Sequence, residues 1–234
     1  MTWPGWRSST SARASSRALR STVRPSSRAP SGGQRGVRGR GADPGTVGPV
    51  TQELLFGDEP PPVAAPPVVA ATDGSARPNP GHAAGAWFVS EQCWQALAVD
   101  GTSTNNVGEL VAIRALLEAV PPDRSLHVVY DSTYAQRCVT TWVHSWSRGG
   151  RVPPERWLTK EGSPVKNAPL VAAIAALLDG RTVTWSKVKS HTTLTTTEHQ
   201  LNRAADERAG AVVAALQAGT PPPTGPGWRD GAVR

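Results

Sequence analysis

The sequence predicts an α/β fold in which a mixed sheet of five strands is flanked by helices. Five short segments are apolar runs or alternate between apolar and polar residues, which is typical of strands. Four longer segments repeat apolar residues every three to four positions, which is typical of helices. Their order is β-β-β-α-β-α-α-β-α, so three antiparallel strands precede alternating strands and helices.

The predicted strands span residues 68–73, 85–90, 93–99, 127–131 and 182–188. Only Glu91 and Gln92 separate the second strand from the third, which predicts a hairpin. The first and fourth strands are apolar runs that end in an acid. A right-handed crossover would make these two strands parallel neighbours.

The predicted helices span residues 104–120, 132–146, 167–178 and 201–216. In the first helix, Leu110, Ile113 and Leu117 recur at helical spacing, and Thr104 is a candidate N-cap. The third helix is rich in Ala and Leu, and apolar residues recur about every four positions in the last one. Each helix therefore has an apolar face that can pack on the sheet.

Composition divides the chain into one folded domain at 66–218 and two tails, 1–65 and 219–234, that are predicted to be disordered. Nine arginines precede residue 41, whereas residues 71–234 carry a net charge of only +2. The Arg- and Ser-rich N-terminal tail fits a transit peptide, a basic arm that contacts phosphates, or a dispensable tail. Two widely separated cysteines and the lack of a long apolar run predict a cytoplasmic protein without a membrane span.

Four acids are candidates for one site. Asp73 and Asp131 follow the first and fourth strands, and ligands of α/β sheets gather at the carboxyl ends of strands. Glu109 and Asp206 lie beside the apolar stripes of the first and last helices. Buried carboxylates that share a pocket repel one another, and hard oxygen ligands suit Mg²⁺ or Mn²⁺.

Each acid also has a simpler interpretation. An Asp at the end of a strand is commonly a turn residue, and Glu109 could form a capping box with Asn106. Asp206 could be a solvated helix acid. The hypothesis of a metal site therefore depends on all four acids meeting in space.

Over residues 66–218 the chain resembles the type I ribonuclease H family, because six motifs occur in the family's order. They are T-D-G-S at 72–75 with N-P-G at 79–81, T-N-N-x-x-E-L at 104–110, D-S-x-Y at 131–134, the tryptophan-containing 142–146 with P-V-K-N at 164–167, W-x-x-V-K-S-H at 185–191, and N-R-x-A-D at 202–206. The resemblance implies the ribonuclease H-like fold, with the acids at the centre of the sheet. It also implies that Asp73, Glu109, Asp131 and Asp206 bind two Mg²⁺ ions, with Mn²⁺ as a substitute, and that Asp73 bridges them.

The resemblance further implies an endonuclease that hydrolyses the RNA strand of RNA–DNA hybrids and leaves 5′-phosphate and 3′-hydroxyl ends. His191 would assist proton transfer or product release, and a monomer is expected. The implied substrate contacts are Asn79, Thr104, Asn105, Asn106, Trp142 and Lys166. The asparagines would reach the 2′-hydroxyls that distinguish RNA from DNA, whereas Trp142 could equally be packed in the core.

The sequence departs from the family pattern around its last two motifs. Ser190 replaces a glycine, a Thr-rich insert at 192–197 follows His191, and Arg203 replaces a glutamate. A catalytically weak or inactive nucleic-acid-binding relative is therefore the alternative function. The four acids favour an enzyme, because a binding module gains nothing from negative charge beside a phosphate.

Overall fold

The structure, a computed structural model, describes residues 65–189 and 193–232. Its centre is a five-stranded sheet in the order β3-β2-β1-β4-β5. The strands are β1 (Val68–Arg77), β2 (Gly81–Ser90), β3 (Cys93–Ser103), β4 (Leu126–Tyr130) and β5 (Val183–Lys187). Strand β2 is antiparallel to both β1 and β3, and β4 is parallel to both β1 and β5. The predicted mixed sheet is therefore confirmed.

Two layers of helix cover the sheet. The helices are α1 (Asn105–Ala119), α2 (Thr133–Arg137), α3 (Val143–Ser147), α4 (Ala168–Leu178) and α5 (Thr197–Ala218). Ala70 of β1 packs in a core with residues of α1 and α4, whereas its neighbour Ala71 packs with Ala205 of α5. Because successive residues of a strand point to opposite faces, α1 and α4 cover one face and α5 covers the other.

Helix α1 packs unusually close to the sheet. A Cβ atom added to Gly74 of β1 would collide with the backbone nitrogen of Glu109, and one added to Gly85 of β2 would collide with the carbonyl oxygen of Gly108. Glycine is therefore required at these positions, because backbone meets backbone with no room for a side chain. The close contact holds the first turns of α1 against the central strand.

The helix predicted at 132–146 is present but interrupted. A π-helical segment, Cys138–Trp142, joins α2 to α3. Cys138 and Val139 of this segment are buried in the core that α1 and α4 share. The Thr140 hydroxyl donates a hydrogen bond of 2.9 Å to the Gln136 carbonyl oxygen within this irregular turn.

The C-terminal segment differs from its prediction. Residues 219–232 were expected to be a disordered tail, but this segment lies along β3 in the structure. The Ala96 amide donates to the Thr224 carbonyl oxygen at 3.1 Å, and the Gly227 amide donates to that of Trp94 at 3.0 Å. Trp228 packs against the core. Backbone pairing with an exposed strand edge orders these residues despite their Pro- and Gly-rich composition.

Among the described residues, no helix is both long enough and apolar enough to cross a membrane. The two cysteines, Cys93 and Cys138, are buried and form no disulfide.

Candidate metal centre

Three of the four predicted acids meet in space. Oxygen atoms of Asp73, Glu109 and Asp131 all lie within 4.8 Å of one another. Asp73 belongs to the central strand β1, Glu109 to the second turn of α1, and Asp131 directly follows β4. Residues that lie far apart in the sequence thus form one carboxylate cluster.

The parallel pairing of β1 with β4 brings the two aspartates together. Ala71 pairs with Val129 in this register, so Asp73 and Asp131 lie level with each other two residues further on. Both residues lie on the face that α5 covers, because side chains alternate along a strand. This geometry is the one that the sequence predicts from two strands that each end in an acid.

Glu109 reaches the cluster because α1 begins so close to β1. The Thr104 side chain caps the helix by accepting a hydrogen bond of 3.4 Å from the Val107 amide. The glycines at positions 74 and 108 then allow the helix backbone to touch the strand. A capping box with Asn106 is not the role of Glu109, since Thr104 is the N-cap and the Glu109 carboxyl faces Asp73.

Burial and mutual repulsion make the cluster a poor place for several negative charges. Asp73 is 5% exposed and Glu109 is 6% exposed. Burial, and then the charges of Asp131 and Asp206, raise the pKa of Asp73 to about 8, although the Gly74 amide donates to its carboxylate at 2.7 Å. Burial, followed by the charges of Asp73 and Asp131, raises the pKa of Glu109 well above its usual value.

The residues of the cluster fit a divalent cation. Carboxylate oxygens are hard donors of the kind that Mg²⁺ and Mn²⁺ bind. A bound cation would offset the repulsion between carboxylates that helps to raise the pKa of Asp73. The unfavourable cluster of charges would then become a favourable binding site for the cation.

Asp206 lies outside the three-residue cluster. It is half-buried on α5, and its charge acts on Asp73 across the space between helix and sheet. Its neighbours Ala205 and Ala209 are fully buried and fix this part of α5 against the sheet. Its role as a fourth metal ligand stays a prediction.

The predicted substrate residues lie around the start of α1 and on the α2–α4 side. Asn79, Asn105 and Asn106 are exposed, and the Asn105 amide donates to the Asn79 side-chain oxygen at 3.3 Å. Lys166 is exposed just before α4. Trp142 is half-buried and lies between Tyr134, which it contacts edge-on, and Trp146, whose ring is tilted; the ring centroids are 6.1 Å and 5.8 Å away.

His191 lies outside the described residues, as do Ser190 and Thr192. On the described side of this gap, Lys187 and Lys189 line a cleft beside Asp131. The sequence analysis did not assign Lys187 to the site. The available signal was its place at the end of an apolar strand, the same signal that identified Asp73 and Asp131.

The family model described as "RNase H" matches residues 65–214, which is most of the folded domain. The chain belongs to the RNase H family. Family membership confirms the ribonuclease H-like fold and identifies the chain as an endoribonuclease. The match spans nearly the whole domain predicted at 66–218.

Curated relatives agree with this family. Ribonuclease H of Tropheryma whipplei (strain Twist) is 34% identical over 168 residues, which are 71% of this chain and 97% of that protein. Ribonuclease HI of Streptomyces coelicolor is 43% identical over 128 residues, about half of each protein. The PFV RNase H domain, solved in solution, is 20% identical with a TM-score of 0.49, over 61% of this chain and 91% of that domain.

Proposed function

We propose that the protein hydrolyses the RNA strand of RNA–DNA hybrids with the help of Mg²⁺ held by Asp73, Glu109 and Asp131. The observation that carries the proposal is the carboxylate cluster, in which three ligand atoms lie within 4.8 Å of one another. A cluster with two buried members is unfavourable without a cation. Mn²⁺ is the expected substitute, because it prefers the same oxygen ligands.

Asp73, Glu109 and Asp131, with Asp206 as a further ligand, would hold two ions when substrate is bound. Such ions activate water for attack on phosphorus and stabilise the 3′-oxygen that leaves, which yields 5′-phosphate and 3′-hydroxyl ends. The protein's own contribution is to fix these carboxylates before substrate arrives. It does so through β1 and through the close contact between α1 and β1.

Selection of RNA would depend on the turn and helix start beside the cluster. Asn79, Asn105 and Asn106 would contact the minor groove and its 2′-hydroxyls, which only the RNA strand carries. The hydrogen bond between Asn79 and the Asn105 amide supports this role, because it fixes the two residues relative to each other. Thr104 would hold a phosphate of the DNA strand at the start of α1.

Trp142 and Lys166 would contact the backbone further along the hybrid. Lys166 is exposed, so its ammonium group can meet a phosphate, and the edge-on and tilted ring contacts with Tyr134 and Trp146 hold Trp142 in place. Contacts of this kind provide affinity with little base preference. We therefore expect cleavage with weak sequence preference.

His191 would transfer a proton or assist product release beside the cluster. Replacing His191 with Ala is expected to lower kcat by about 10²-fold or more, the usual contribution of a general acid or base. We also propose that the enzyme is a cytoplasmic monomer. A mass of twice 24.6 kDa in light scattering would contradict the monomer.

The decisive experiment compares labelled RNA–DNA hybrid, duplex DNA and duplex RNA in Mg²⁺, in Mn²⁺ and in EDTA. The expected result is cleavage of the RNA strand of the hybrid alone, only with a divalent cation. The 3′-hydroxyl product should be extendable by a DNA polymerase without further treatment. Equal cleavage of duplex DNA, or cleavage in EDTA, would contradict the proposal.

Asp73→Asn tests the role of the cluster, because it removes a charged ligand at nearly constant volume. Activity should fall below detection while the circular dichroism spectrum stays unchanged. Asp100→Asn is the matched control, since Asp100 is exposed on β3 and away from the cluster. It should keep full activity.

A further inference from the structure

A cleft of about 320 Å³ opens beside the carboxylate cluster. Its lining consists of Asp131, Lys187, Val188 and Lys189. One side is therefore a candidate metal ligand, and the other carries two lysines. None of the predicted substrate contacts lines this cleft.

The parallel pairing of β4 with β5 places the lysines beside Asp131. Lys187 pairs with Tyr130, and the Val188 amide continues the ladder by donating to the Tyr130 carbonyl oxygen at 2.9 Å. Val188 is 4% exposed and is anchored in the core below α5. Because side chains alternate along a strand, the two lysines leave the sheet on the face opposite to Val188 and Asp131, and both are exposed where the strands end beside the cleft.

The two lysines form no ion pair within the described part of the chain, although Asp131 lines the same cleft. Both are exposed, and neither forms an ion pair with any carboxylate of residues 65–189 or 193–232. Neither lysine is among the groups that shift the pKa values of the buried Asp73 and Glu109 carboxyls. Two neighbouring cations in a cleft create a local positive potential that attracts an anion.

We propose that Lys187 and Lys189 bind a backbone phosphate of the strand that is cut, next to the phosphate that lies at the carboxylates. This inference rests on the proposed function, because the scissile phosphate must lie at the cluster. Asp131 belongs to both the cluster and the cleft, so a strand that reaches the cluster has its next phosphate beside the cleft. The lysines position the strand and take no part in proton transfer.

The first test measures binding of an RNA–DNA hybrid to the full chain in EDTA, where no cleavage is expected. Each lost phosphate contact makes the plot of log affinity against log salt shallower by about 0.9. Lys187→Gln should therefore weaken binding about three- to tenfold at 50 mM salt. The ratio of the wild-type affinity to the affinity of this variant should become about 3.5-fold smaller between 50 and 200 mM salt. Lys187→Arg should restore both quantities.

Arg124→Gln is the matched control. Arg124 lies in the loop that precedes β4, at the opposite end of that strand from Asp131. The substitution removes the same charge, so any effect of net charge alone would be shared. We expect its affinity and salt slope to equal those of wild type.

Kinetics separate a positioning role from a chemical one. In Mg²⁺, Lys187→Gln should raise KM about three- to tenfold and leave kcat within about twofold. A second test replaces one phosphate of the hybrid by an uncharged methylphosphonate. If the contact is to the RNA strand beside the cut, this change and Lys187→Gln together should weaken binding no more than either alone.

Three results would overturn the inference. The first is that Lys187→Gln has the same dependence of affinity on salt as wild type. The second is that Arg124→Gln weakens binding as much as Lys187→Gln does. The third is that the effects of Lys187→Gln and the methylphosphonate are non-additive only when the methylphosphonate is in the DNA strand. Absence of hybrid cleavage by the wild-type enzyme would instead overturn the proposed function. The two failures are thus distinguishable in one set of experiments.

Discussion

Asp73→Asn is expected to stabilise the metal-free protein while it abolishes activity. Asp73 has a pKa of about 8 in the folded protein and 3.8 as an unperturbed group, because burial and the charges of Asp131 and Asp206 oppose its ionisation. The folded state therefore binds more protons than the unfolded state between these two values. The free energy of unfolding must fall as the pH rises through this window.

The size of the effect follows from the two pKa values. At pH 7 the Asp73 carboxyl is almost fully ionised in the unfolded chain but mostly protonated in the folded chain. This difference lowers the free energy of unfolding by about 4 kcal/mol relative to low pH, where both states are protonated. At pH 5 the same calculation gives about 2 kcal/mol. The amide introduced by Asp73→Asn carries no charge at either pH and so avoids this cost.

The assay is urea unfolding of the full chain in EDTA at pH 5 and pH 7. Asp73→Asn should be more stable than wild type by up to about 4 kcal/mol at pH 7 and by up to about 2 kcal/mol at pH 5. Mg²⁺ at 100 times its Kd should then stabilise wild type by about 2.7 kcal/mol and the variant very little. Asp100→Asn, which removes an exposed charge, should behave like wild type throughout.

The reasoning would be wrong if Asp73→Asn were less stable than wild type in EDTA, or if its advantage did not grow from pH 5 to pH 7. The first result would mean that the carboxylate stabilises the fold in some other way. The second would mean that its ionisation is not linked to folding.

Three further predictions concern the packing that supports the site. Gly74→Ala should lower the free energy of unfolding by about 1–3 kcal/mol, measured by urea, and reduce kcat, because the new Cβ would push Glu109 away from the cluster. Gly210→Ala should raise stability by about 0.5–1 kcal/mol and leave kcat unchanged, because Gly210 is inside α5 and a Cβ there meets no atom within 4 Å. Arg181→Met should lower the melting temperature and cost about 2–3 kcal/mol, because its guanidinium donates to the carbonyl oxygens of Leu117, Val120 and Pro121 at the end of α1. Full stability of this variant would show that these bonds contribute nothing net.

The sequence predicted which elements form better than where they end. Strand β1 was expected to stop at Asp73, because the apolar run ends there. It continues to Arg77, since pairing with β2 persists from Gly74↔Gly85 to Arg77↔His82. Gly74 is there to admit α1, and a single sequence cannot distinguish that need from the need for a turn.

Three other features had weaker signals. Helix α5 begins at Thr197 and not near residue 201, because the Thr196 side chain accepts from the His199 amide and caps the helix within a Thr-rich stretch. The π-helical segment Cys138–Trp142 has no sequence signature that we recognise. The C-terminal segment is ordered by backbone hydrogen bonds to β3, which composition does not report.

The acids of the cluster were predictable for a physical reason. Asp73 and Asp131 each follow an apolar run, and the parallel register of β1 with β4 places the residues after these two runs level with each other. The position of Asp206 was harder to predict. The spacing of apolar residues shows which face of a helix packs on the sheet, but it does not show how close the helix lies to the sheet. Its position depends on how small residues such as Ala205 and Ala209 pack against the strands.

The alignment of neighbouring parallel strands also extends from β4 to β5, and it explains why the charge of the side chains changes from negative to positive at the edge of the sheet. The carboxyl ends of β4 and β5 lie beside the middle of β1, and the three strands carry in turn Asp73, Asp131 and the pair Lys187 and Lys189. The buried central position suits groups that a cation must neutralise, because repulsion there is strong and little screened. The exposed edge suits cations that meet a phosphate directly, where water and salt weaken each contact. Under the proposed function, a nucleic-acid strand bound across this row would have one phosphate at the carboxylate cluster and the next at the ammonium groups. The row of strand ends would thereby set both the point of cleavage and the register of the strand.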